Sequence, residues 1–107
     1  MHIVIFITVG NRDEGLMIAK ALVEGRLAAC ANILENVSSI YWWEGRVEQS
    51  KECLLTVKTV DGLLQQIIDK VKELHSYRTP EIIAFEVKGG SKDYLDWVEA
   101  SVVCGKG

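Results

Sequence analysis

A single proline, Pro80, in 107 residues, and no stretch rich in Gly, Ser or Pro, leave no linker, repeat or low-complexity tract. The chain therefore reads as one domain, residues 1–107. Cysteine is scarce as well. Cys30, Cys53 and Cys104 are odd in number and widely spaced, with no C-x-x-C pair, which excludes a disulfide framework and a zinc knuckle. Positive charge is never concentrated. The net charge is −3 and no basic run exceeds two residues, so the chain lacks what a phosphate backbone needs from its partner. Nor do the β-strand segments offer the aromatic motifs of an RNA-recognition sheet. No apolar run approaches the ~20 residues of a membrane-spanning helix. The opening MHIVIFITVG has neither a positive flank nor a small-residue cleavage site; it reads as a strand, and a cytoplasmic location is expected. Gly89-Gly90-Ser91-Lys92 is the one glycine pair at a helix start, and glycines there serve equally as plain turn residues.

What the chain does have is hydrophobic residues, 49% of the total, at the upper end for a globular domain. Residues 2–9 are almost wholly apolar, the pattern of a central strand covered on both faces. Asn11 followed by Glu14 predicts a capping box. The helix behind it presents Leu16, Ala19, Leu22 and Val23 and ends at Gly25 in the C′ position. Ala28–Ile33 predicts a second buried strand, and Leu34-Glu35-Asn36 a bulge. Asp61 is expected to cap a second helix with Leu64, Ile67, Ile68, Val71 and Leu74 on its apolar face. Pro80 shapes a loop before the strand Ile82–Val87, and Ser91 opens a last helix carrying Tyr94, Leu95, Val98 and Val102. Cys104-Gly-Lys-Gly is expected to fray. The order β-α-β-β-α-β plus a C-terminal helix predicts an α+β, ferredoxin-like split βαβ fold. Its sheet is antiparallel, with two helices on one face and the other face left for a partner.

Between Ser39 and Thr59 lie two alternating runs that predict a long β2-β3 hairpin. Tyr41, Trp43 and Val47 are expected on one face, and Ile40, Trp42, Glu44 and Arg46 on the other. Glu48-Gln49-Ser50-Lys51 is taken as a four-residue loop joining strands of roughly 7 to 9 residues. Apolar groups on both faces demand more surface than one small core offers.

Five polar groups, Cys30, Lys58, His75, Tyr77 and Glu81, are candidates to converge. Cys, His and a carboxylate together suit Cu or Zn. The same residues serve as well as a small buried hydrophobe, a helix-end histidine, a packed aromatic and a solvated acid. His2 behind a free amino terminus could capture copper in any protein and carries no functional weight.

The segments Arg26–Ile33 (RLAACANI), Tyr41–Gly45 (YWWEG), Lys58-Thr59, His75–Ile82 (HSYRTPEI) and Tyr94–Trp97 (YLDW), in this order over nearly the whole chain, resemble the CutA divalent-cation tolerance family. The resemblance implies a ferredoxin-like homotrimer similar to the PII signalling proteins. It also implies a link to copper tolerance, binding of divalent metal such as Cu(II) or Zn(II), and no enzymatic activity or organic cofactor. By position it places metal ligands at Cys30, His75 and Glu81, with Lys58 and Tyr77 in the same intersubunit cleft. Tyr41, Trp42 and Trp43 become trimer-interface anchors. The family commonly has proline where this chain has Ser76. Two further functions compete: a PII-like regulator that binds a small anionic metabolite through Lys58, and a purely structural trimeric scaffold.

Overall fold

The computed structural model describes residues 1–103, so the expected fraying of residues 104–107 lies outside the described residues. The elements are β1 (His2–Val9), α1 (Arg12–Glu24), β2 (Cys30–Trp43), β3 (Arg46–Val60), a 3-10 turn (Asp61–Leu63), α2 (Leu64–Leu74), β4 (Ile82–Glu86) and α3 (Lys92–Ser101). The strands form one antiparallel sheet in the order β2-β3-β1-β4. The fold is α+β with the connectivity of the ferredoxin-like split βαβ unit.

The core lies between one sheet face and the two helices. Ile3, Ile5, Ile7 and Val9 of β1 are buried with Leu55 and Val57 of β3, Ile18 and Leu22 of α1, and Ile67 and Val71 of α2. Burial along β1 alternates, and His2, Val4, Phe6 and Thr8 are only half-buried. The expectation of a strand covered on both faces therefore fails in the single chain. Its apolar even positions belong to a second sheet face, where Phe6 meets Phe85 with ring centroids 5.0 Å apart. The α3 helix touches one end of that face, through the His2 ring against the Leu95 carbonyl at 2.9 Å and Cys30 Sγ against the Tyr94 hydroxyl at 3.6 Å.

Local signals hold with four changes of role. Asn11 caps α1, its side chain accepting from Glu14 N–H at 2.9 Å. The Glu14 carboxylate, expected to complete a capping box, goes elsewhere. At the other end Gly25 keeps an ordinary φ of −80° and Arg26 takes the left-handed position at 62°. Arg26 N–H then reaches Val23 O and Leu27 N–H reaches Leu22 O, the pair of bonds of a Schellman motif shifted by one residue from the glycine. The inward face of α1 runs through Ile18 and Leu22 while Val23 is exposed. Asp61 makes no side-chain cap because its carboxylate meets the N-terminal ammonium at 3.4 Å.

The hairpin differs most from expectation. Its strands are 14 and 15 residues long, and the turn is Glu44-Gly45, with φ of 49° and 78°. Two successive positive φ values make the primed two-residue turn whose twist matches the strands, and Gly45 supplies one without strain. Glu48–Lys51 are strand residues, which moves Val47 opposite Trp42 and Arg46 opposite Trp43. Val47 thus shares a face with Trp42, not with Tyr41 and Trp43. The bulge falls where expected, with register lost between Leu34 and Val37 and Asn36 left-handed at 62°. Since β1 ends opposite Cys53, everything beyond it is a two-stranded arm. Exposure on one face of that arm reaches 68% at Ile40, 74% at Trp42 and 59% at Val47.

Candidate ligand cleft

At the root of the arm, an open groove of about 710 Å³ runs between the hairpin, the end of β1 and the loop from Tyr77 to Glu81. Its walls include Tyr41, Trp42, Trp43, Glu52, Tyr77 and Glu81. The loop is held by His75, the C-cap of α2, whose side chain has no exposure. The Thr8 carbonyl can only accept, so the 2.7 Å contact with His75 Nε2 places a proton on that nitrogen. His75 Nδ1 then accepts the Tyr77 N–H at 3.0 Å. This chain of bonds ties the helix end to the central strand and aims Tyr77 back toward the sheet.

Tyr77 lies over Gly10, where a Cβ would come within 3.3 Å of the phenolic oxygen. The missing side chain lets the ring reach Glu52, to which the hydroxyl donates at 2.7 Å. Burial, reinforced by this carboxylate, pushes the Tyr77 phenol well above its ordinary value. Glu52 is itself buried and opposes Val37 just beyond the bulge.

Cys30 and Lys58 sit elsewhere. They face each other across β2 and β3, and Lys58 also opposes Val4. Thr8, the anchor of His75, is four residues further along β1, roughly 13 Å at strand rise. Lys58 Nζ donates to Asn32 Oδ1 and, at 3.1 Å, to Thr56 Oγ1. The Tyr94 phenol is raised by its contact with Cys30, with burial adding to it. One chain therefore gathers Tyr77 and Glu81 at the groove and Cys30 and Lys58 at the far end of the sheet. Among the described residues no three His, Cys, Asp or Glu side chains cluster as a metal would require.

The family model for the CutA1 divalent ion tolerance protein matches residues 3–101. The chain belongs to the CutA1 family. The divalent-cation tolerance protein CutA of Thermus thermophilus is 46% identical over 98 residues, covering 92% of this chain and 95% of that protein. Its counterpart in Archaeoglobus fulgidus is 42% identical over 102 residues, 95% of this chain and 99% of that one. CutA proteins of Oryza sativa and Arabidopsis thaliana, both described as chloroplastic, are 42% identical, but this chain spans only 56% and 54% of their lengths. A solved structure of the Thermus protein matches with a TM-score of 0.93 at 44% identity over 95% of this chain and 99% of that chain. The Archaeoglobus structure, described as periplasmic, matches at 0.92 and 42% identity over 94% and 98%. CutA1 proteins are thus named for tolerance to divalent ions rather than for a reaction, and the relatives are assigned to different compartments.

For a CutA1 chain the fit to a metal is uneven. Cys30 carries a free, half-buried thiol and Glu81 an exposed carboxylate, both open to a cation. Both ring nitrogens of His75 are engaged, so it joins a coordination sphere only if Nδ1 gives up the Tyr77 N–H. Three groups that organise the groove escaped the sequence pattern: Glu52, Gly10 and Glu14. Glu52 directly follows the polar stretch Glu48–Lys51, Gly10 follows the apolar run 2–9, and Glu14 occupies a capping-box position. Among the described residues no helix is long and apolar enough to cross a membrane.

Proposed function

We propose that the protein is a homotrimer that binds divalent metal, Cu(II) first and Zn(II) second, in clefts between subunits, and that it catalyses no reaction. What supports this is the two-part layout of a single chain. Thiol and carboxylate donors lie at opposite ends of the sheet, beside an unpartnered sheet face and an arm apolar on both sides. Packing copies around a threefold axis brings one end of each sheet to the other end of its neighbour. Cys30 of one copy and Glu81 of the next are then the exposed donors, with His75 entering through Nδ1, and Tyr77 and Lys58 as neighbouring cleft groups. Tyr41, Trp42 and Trp43 anchor the interface. Free thiols at Cys30 and Cys53 suit a reducing, cytoplasmic compartment.

Calorimetric titration of Cu(II) under anaerobic conditions tests the assignment, because copper and oxygen together oxidise thiols. Cys30→Ser and Glu81→Gln are each expected to weaken binding by more than about tenfold, the lower end of what disturbing a metal's surroundings costs. Unchanged affinity in both would remove the site.

One observation favours the regulator reading. Among the described residues Lys58 forms no ion pair, and its ammonium is held only by neutral oxygens. On that reading, small anionic metabolites raise the melting temperature of wild type and not of Lys58→Gln, since a ligand specific to the native state stabilises it.

A further inference from the structure

The Glu14 carboxylate crosses 62 residues of sequence to meet the loop that carries His75 and Tyr77. It accepts Ser76 N–H at 2.6 Å on Oε2 and the Ser76 hydroxyl at 2.9 Å on Oε1. Oε2 also stands 3.4 Å from His75 Nδ1, and the Glu14 side chain is only 11% exposed. Both oxygens of an almost buried carboxylate are thus spent on one residue, in the two-point geometry that gives charge-assisted bonds their directionality. Asn11 has already capped the helix, so the charge of Glu14 is not needed at its own N-terminus.

We propose that Glu14, through Ser76, is the positioning residue of the cleft. It pins the turn so that Tyr77 N–H stays on His75 Nδ1 and the Tyr77 hydroxyl stays on Glu52. Ser76 lies between the two groups it positions and supplies both donors, one from the backbone and one from the side chain. Without the clamp, the loop is held by the His75 ring on Thr8, by the Tyr77 hydroxyl on Glu52 and by β4. The ring of His75 then loses its fixed acceptor role at Nδ1, and the mouth of the groove widens. This rests on the proposed cleft for its functional consequence, but the positioning itself does not depend on a metal.

The test uses the full chain with Glu14→Ala, Ser76→Ala and Ser76→Thr, read in two ways. Amide exchange and imidazole nitrogen shifts by NMR report the loop directly. Glu14→Ala is expected to lose protection at Tyr77 N–H and the single His75 tautomer while core amides keep theirs. Ser76→Ala, which removes one of the two donors, shows a partial loss, and Ser76→Thr, which keeps both, retains wild-type behaviour. Cu(II) titration of the same variants is expected to show about tenfold weaker binding for Glu14→Ala and wild-type affinity for Ser76→Thr. Intact Tyr77 protection and an unchanged His75 tautomer in Ser76→Ala and in Glu14→Ala overturn the proposal. So does a loss spread evenly over the core, which marks plain destabilisation. If wild type binds no Cu(II), the cleft reading fails alone and the NMR result still decides the clamp.

Discussion

Trp42→Asp is expected to leave the protein monomeric at micromolar concentration while its core stays folded. In the single chain Trp42 is 74% exposed, and its cross-strand neighbour is Val47. A tryptophan buries roughly 150–250 Å², and at about 25 cal/mol per Å² the exposed share corresponds to roughly 3–5 kcal/mol per copy. A closed trimer repeats the loss three times, and each Asp adds the cost of desolvating a charge in an apolar contact. The core is spared because the arm lies beyond the last partner of β1, Val9 opposite Cys53. Sedimentation velocity with far-UV circular dichroism checks both parts. An unchanged sedimentation coefficient would show that the arm is not the joint.

His75→Ala is expected to cost about 2–4 kcal/mol of folding stability. The imidazole is fully enclosed, and its removal strands the Thr8 carbonyl and the Tyr77 N–H that it now bonds. Each buried polar group left without a partner costs about 1–3 kcal/mol, and the vacated volume adds to that. His75→Gln, whose amide can still donate to Thr8, is expected to lose less. Urea denaturation measures the difference, at one protein concentration because association shifts apparent stability. A loss under about 1 kcal/mol in His75→Ala would mean that the ring does not hold the loop. This structural burden is the reason that Cys30 and Glu81, rather than His75, are the cleaner probes of the proposed metal binding.

The fold was legible where local pattern and tertiary context agree. The helix at Leu64–Leu74 and the bulge before Val37 follow from spacing and breaker residues alone. The hairpin turn was misplaced because Glu48–Lys51 is polar, and polarity marks exposure as readily as it marks a loop. Glu44-Gly45 was the better signal, an acid-glycine pair between alternating runs. Once it is the turn, Val47 changes face, and the strands become nearly twice as long. The site was less legible because its organising contacts are distant in sequence. Glu14 to Ser76 and Glu52 to Tyr77 join residues that no periodicity relates, and Cys30 and His75 look like one site in a motif while the sheet holds them apart.

That separation makes assembly the hinge of the whole proposal. Light scattering on the wild-type protein at micromolar concentration is expected to give three times the chain mass of 11.9 kDa. A mass of 11.9 kDa would leave Cys30 and Glu81 at opposite ends of one sheet, with no cleft between copies for a metal to occupy.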